Sequence, residues 1–272
     1  MPEPTADLSS LAAASLIGVE NNQFHTRLLR VSLALEESRA YWHHWQPHQP
    51  REKQALAAFE ARWFGSKSLE RVQALLAAFH HRYDVYPAPL TVLAHWQPSD
   101  PVTRQTIVHW HTQLSDPLYR AFTGDFLEQR RLQANPTIDR DLLGRWLVQQ
   151  VPTTWAAATS QRMAMALITC AAAAGLCTTT TGSRRLTYPQ VTDQALTYWL
   201  YILRHLDFQG TLLDNPYLAS VGLKNGFLEQ RLRKLPGLRF NRMAELYEFD
   251  WHYPDLKSWA MGELDLPGGA RP

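Results

Sequence analysis

A chain of 272 residues, 45% hydrophobic and 11% aromatic, is long enough for a substantial core and too apolar to stay disordered. Its 27 basic and 25 acidic side chains exclude a polybasic tail protein. Two cysteines are too few for a disulfide framework and fit a reducing, cytoplasmic setting. The charge is nevertheless uneven: residues 1–150 carry 15 cations and 15 anions, residues 151–242 carry 10 and 4, and residues 243–272 carry 2 and 6.

The opening MPEPTADLSS lacks the cationic region of a secretory signal. Helical spacing follows. Residues 23–46 place Phe24, Leu28, Val31, Leu35, Tyr41, Trp42 and Trp45 at helical intervals, ended by Pro47. Residues 67–82 repeat the pattern with Leu69, Val72, Leu75, Leu76 and Phe79 after the start signal Gly65-Ser66. Asp100-Pro101 is an N-cap followed by proline at the first helical position, which predicts a helix over 101–115. Further helices are predicted over 117–133 and 138–150.

Past Pro152, an apolar face of Met163, Leu167, Cys170 and Ala174 predicts a helix from about Ser160, capped by Thr159 or Ser160 and ended by Gly175. The uncharged run 163–183 is built of Ala and Thr rather than Leu, Ile, Val and Phe. That composition suits a buried helix, not a membrane span. The segment CTTTTGSRRLTYP (177–189) reads as a two-stranded hairpin turning at Gly182-Ser183. A helix over about 190–206 follows, then short helices around 225–235 and 240–249. The expected fold is all-α (mainly helical) with one small β-hairpin. A helical domain spans 20–133, a winged-helix-like domain 136–210, and a C-terminal extension with an acidic tail 211–272.

In a winged helix the second helix of the pair enters the major groove and the wing reaches phosphate. The contacts would be Thr159, Ser160, Gln161 and Arg162 at the helix start and Ser183, Arg184 and Arg185 on the wing. The other reading is a protein-interaction module, since Arg162 is the only cation of that helix. A second basic group, Lys224, Arg231, Arg233, Lys234, Arg239 and Arg242, either follows a phosphate backbone or pairs with the tail acids Glu245, Glu248, Asp250, Asp255, Glu263 and Asp265.

The histidines do not assemble a metal site. Neighbours such as His43-His44 and His80-His81 diverge by about 100° on a helix, and Pro47 separates His44 from His48. Glycine-rich phosphate loops and nucleophile elbows are absent, and Asp116, Asp125, Glu128, Asp139 and Asp141 read as helix-end charges. A protein without catalytic residues, metal or cofactor is expected.

Three runs occur in order: FGSKSLERVQALLAAFHHRYDVYP (64–87), DPLYRAFTGDFLEQRR (116–131) and TTWAAATSQRMAMALITCAAAAGL (153–176). Together they resemble the BrxA family of BREX phage-defence systems, over roughly residues 20–190. Ser66 and Ser68 open the first motif and Arg82 closes it, while Trp155, Thr159 and Ser160 match the entry to the third. The resemblance implies a small, mostly helical, non-enzymatic protein that binds double-stranded DNA in the cytoplasm; no membrane partner is expected. Its partners would be a methyltransferase, a large ATPase and a phosphatase-like component. The alternative is an assembly scaffold whose helices bind those components; Trp42, Trp45, Trp110 and Trp251 would serve there if exposed, and otherwise belong to the core. A standalone regulator would dimerise on a palindrome, and no coiled-coil seam supports one.

Overall fold

In the computed structural model, which describes residues 16–47, 50–151, 155–243 and 246–264, short helices dominate and the strands form small two-stranded sheets. Strand β1 (Gly18–Val19) and a 3-10 turn at Arg27–Leu29 precede α1 (Leu35–His44), α2 (Arg51–Glu60) and α3 (Leu69–Phe79). A π-helical turn extends α3 over His80–Asp84, followed by α4 (Pro87–Trp96) and α5 (Pro101–Ser115). Next come α6 (Pro117–Ala121), a π-helical stretch over Phe122–Phe126, α7 (Leu127–Arg131), β2 (Thr137–Ile138), α8 (Arg140–Gln150), α9 (Ala157–Ala173) and β3 (Arg184–Arg185). The chain ends through α10 (Asp193–Leu203), β4 (Leu206–Asp207), α11 (Pro216–Ser220), α12 (Asn225–Leu232), β5 (Leu238–Met243), β6 (Leu246–Trp251) and α13 (Leu256–Glu263).

Side-chain caps fix most of these starts. Asp100 accepts from the Thr103 amide at 2.8 Å, Asp139 from the Leu142 amide at 2.8 Å and Thr192 from the Ala195 amide at 3.2 Å. The core centres on α5 and α10. Trp110 stacks on Trp199 with ring centroids 5.4 Å apart and donates its Nε1–H to the Tyr217 carbonyl at 2.9 Å. Buried apolar residues from Leu28 to Leu264 form one cluster. Among the described residues no helix is long and apolar enough to cross a membrane.

Several sequence expectations need correction. The helix expected over 23–46 begins only at Leu35, after Ala34 at φ 51°. The buried Arg82 guanidinium takes the carbonyls of Leu33 at 2.6 Å and Ser32 at 3.0 Å, and Arg71 takes that of Arg30. Those acceptors serve distant donors instead of a helix. The helix expected over 240–249 is an antiparallel hairpin, β5–β6, in register from Leu238↔Trp251 to Met243↔Leu246. Its inner face alternates Leu238, Phe240, Phe249 and Trp251, a period of two. The hairpin expected over 177–189 survives as a single bridge, Cys177↔Leu186. Its returning strand β3 pairs instead with β2, as Thr137↔Arg185 and Ile138↔Arg184. More than one small sheet is therefore present: β1 also pairs in parallel with β4.

Candidate nucleic-acid interface

The segment 137–189 builds one module from β2, α8, α9 and β3. Helix α8 buries Leu143 and Leu147; α9 buries Met163, Ala164, Leu167, Ile168, Cys170 and Ala171. The opposite side of α9 leaves Ala158, Gln161, Arg162, Met165 and Thr169 exposed at helical spacing. Gly175, at φ +73°, ends the helix, and Gln105 donates to the Ala173 carbonyl at 2.6 Å. Thr179–Ser183 then form an exposed loop with Gly182 at φ +78°.

The helix begins three residues before the expected Ser160. Its N-cap is Ala156, which offers no side-chain acceptor, so neither Thr159 nor Ser160 is the cap. Thr159 is half-buried and Ser160 buried, whereas Gln161 and Arg162 reach solvent. On the returning strand, Ser183 and Arg185 are exposed. Arg184 is half-buried beside Cys177, because adjacent strand residues point to opposite faces.

At the base of this module Glu128, 9% exposed, accepts from Lys224, from Arg131 and from the Tyr188 hydroxyl at 3.1 Å. The Arg131 guanidinium lies 4.1 Å from the Tyr188 ring centroid and donates to the Thr187 carbonyl at 2.7 Å. Hydrogen bonding to Glu128 raises the Lys224 pKa. A Cβ on Gly222 would stand 2.9 Å from the Tyr188 ring, so only glycine lets the chain cross there.

The remaining basic group is largely committed within the fold. Arg231 pairs with Asp193 at 2.5 Å and donates to the Val191 carbonyl at 3.0 Å. Arg233 and Arg242 converge on Glu229, the former at 3.6 Å. Lys234 and Arg239 are exposed without an ion pair among the described residues. Among the described residues the acids that pair with this group are Glu128, Asp193 and Glu229. Of the tail acids, Asp255 caps α13, Glu263 accepts from Tyr253 at 3.0 Å, and Glu245 and Asp265 lie outside the described residues.

Two arginines escaped the sequence reading. Arg140 and Arg145 are exposed on α8 and border a cleft of about 600 Å³ against α9, with Val148, Val151, Trp155 and Ser160. The signal was faint: with Leu143 and Leu147 directed inward, Gly144, Arg145 and Val148 fall on the flank of the helix.

The histidines serve packing. His109 bonds Tyr119 and Ser220, each at 2.9 Å, and His111 bonds Tyr198 at 2.8 Å. Burial pushes both imidazoles down to about 3. His44 stacks on Trp63 with centroids 4.7 Å apart, and His48 lies outside the described residues. Among the described residues no group of three or more His, Cys, Asp or Glu side chains is arranged to hold a metal. The thiols of Cys170 and Cys177 are buried, and burial pushes Cys170 up to about 12.

The architecture is similar to a crystal structure of an uncharacterized protein from Magnetospirillum magneticum. The TM-score is 0.51 at 16% identity, covering 64% of this chain and 90% of that one. No curated protein matches the chain significantly. A family model, BrxA, matches residues 22–199, from the strand-linked N-terminal segment into α10. The chain belongs to the BrxA family, which is associated with the BREX phage-defence systems.

Proposed function

We propose that this BrxA-family protein is a non-enzymatic, double-stranded-DNA-binding component of a cytoplasmic BREX system, with the 137–189 module acting as a winged helix. The order α7, β2, α8, α9, bridge at Cys177, loop, β3 is that of a winged helix–turn–helix. One observation carries the reading: the polar side of α9, with Gln161, Arg162 and Thr169, is exposed, and so are the 179–183 loop and Arg185 of the same segment. Amides, hydroxyls and guanidinium groups of this kind serve both phosphates and base edges. Residues 136–189 hold five arginines (Arg140, Arg145, Arg162, Arg184 and Arg185) against Asp139 and Asp141. Lys234 and Arg239 add cations that no acid among the described residues holds.

A mobility shift on short duplexes across a salt series tests this. Affinity should fall with salt at a log–log slope of about −3, as expected for a few phosphate contacts. The Arg184→Glu/Arg185→Glu variant should bind roughly tenfold more weakly at low salt. An undiminished shift would remove the 184–185 strand from the interface.

A scaffold that gathers the methyltransferase, ATPase and phosphatase-like components draws on a different surface. Phe227, Met243, Leu246 and Tyr247 are exposed around α12 and the β5–β6 tip. Trp42 and Trp110 are fully buried and contribute nothing to it, and Trp45 and Trp251 are half-buried. Retained co-purification and phage protection in a variant that no longer shifts DNA would favour that role.

A further inference from the structure

The cleft between α8 and α9 combines features that the fold itself does not use. Helix α9 runs for 17 residues, and its first turn has no acidic residue and no capping side chain. The amides of Ala157 and Ala158 consequently lack intrahelical acceptors at the positive end of the helix dipole. Arg140 and Arg145 line the same cleft from α8. Cations beside a helix N-terminus have the unfavourable sign. The acid on the cleft, Asp141, is 84% exposed, lies 3.9 Å from Arg140 and occupies the first turn of α8, whose own dipole it complements. Arg145 has no ion pair among the described residues.

Two further observations point to an occupant. Ser160 is 8% exposed and borders the cleft, and its hydroxyl has no hydrogen-bond partner among the described residues. Most of the residue is enclosed while its Oγ stays open to solvent, so a ligand in the cleft can take it up as a hydrogen-bond partner. Gly144 lies in the middle of α8 on the same cleft, where a Cβ would meet no atom within 4 Å. Glycine is otherwise a poor residue inside a helix. The half-buried Trp155, with Val148 and Val151, supplies a flat apolar wall.

We propose that this cleft binds a nucleotide. The phosphate ester is taken by the amides at the start of α9, the Ser160 hydroxyl and the Arg140 and Arg145 guanidinium groups, and the base lies against Trp155. A free nucleotide and a nucleotide within bound DNA present the same chemistry. The site stands whether or not Arg184 and Arg185 hold duplex.

Isothermal titration of the full chain with a nucleoside monophosphate, and with the matching nucleoside, tests it. The nucleotide should bind and the nucleoside should be at least about tenfold weaker, because the charge-assisted bonds are lost. Arg145→Glu should weaken the nucleotide by about tenfold or more, and Lys257→Glu, on the exposed side of α13, should leave it unchanged. Gly144→Leu fills the cleft where no atom stands in the way. It should abolish binding while the thermal midpoint holds or rises. Equal nucleotide binding by wild type, Arg145→Glu and Gly144→Leu would overturn the proposal, as would no binding at millimolar nucleotide. Competition identifies the source. Displacement of duplex by nucleotide assigns the cleft to a nucleotide of DNA, and undisturbed duplex assigns it to a free nucleotide. Loss of the duplex shift alone, with calorimetry intact, counts against duplex binding and not against the cleft.

Discussion

Helices α5 and α9 have similar lengths and similar backbone geometry at their N-caps, yet they do opposite things with their polar residues. Asp100 enters α5 at φ −70°, ψ 123°, and Ala156 enters α9 at φ −62°, ψ 146°. Along α5 almost every residue from Thr103 onward is buried, and its histidines, tryptophan and threonines are bonded into the interior. His111 Nδ1 and Gln113 Oε1 are the exceptions. Along α9 the polar residues are turned to solvent or to a cleft, and the helix start is left uncapped. Polar groups bonded into the interior mark the helix that holds the fold; polar groups turned to solvent mark the helix with a face left for a partner.

The sharpest way to break that contrast is truncation on each helix. Trp110→Ala removes a fully buried ring from the stack on Trp199 and should cost about 3–5 kcal/mol, read from the denaturant midpoint. Met165→Ala, on the open side of α9, should stay within about 0.5 kcal/mol. Equal losses would mean that α9 is covered by something within the fold.

Acid should separate the two helices next. His109 and His111 stay neutral in the folded state down to about 3, whereas unfolded imidazoles charge near the usual histidine value. The unfolded chain therefore binds more protons across that window. Stability is lost as pH falls from about 6.5 toward 3, by about 1.4 kcal/mol per pH unit for each imidazole. Asp116 opposes this, since burial raises its carboxyl. Urea midpoints between pH 7 and 4.5 should show the decline, and His109→Gln/His111→Gln should flatten it. A decline unchanged by that substitution would place the acid sensitivity elsewhere.

The same distinction explains what could be read from the sequence. The bounds of α5 were legible because Asp100-Pro101 is a local signal, and the helix ends where the capping residue Asp116 begins α6. The segment before Leu35 was not, because Arg82, some 50 residues away, takes its carbonyls. Nor was β5–β6, whose period-two pattern is short and flanked by polar residues. At the candidate interface, Gln161, Arg162, Ser183 and Arg185 were found on one module. The commitment of Lys224 to Glu128 was invisible, since that pair is 96 residues apart in sequence. Arg140 and Arg145 gain meaning only when α8 is laid against the start of α9.

Exchanging the two helix starts gives the smallest effects and the most discriminating test. Asp100 accepts from both the amide and the hydroxyl of Thr103, which hold its carboxyl below the usual range. Asp100→Ala should lower stability by about 1 kcal/mol. That contribution is present above the normal aspartate pKa and is lost as pH falls through the depressed folded value. Ala156→Asp places the same acceptor on backbone already in the capping conformation. It should add about 0.5–1 kcal/mol, seen as a higher thermal midpoint. The new carboxylate would also occupy the amides at the start of α9 and repel phosphate, so nucleotide and duplex should bind more weakly. Stability gained together with binding lost is what an N-terminus kept open for an anion requires. Stability gained with binding intact would make α9, like α5, a helix whose polar end serves only the fold.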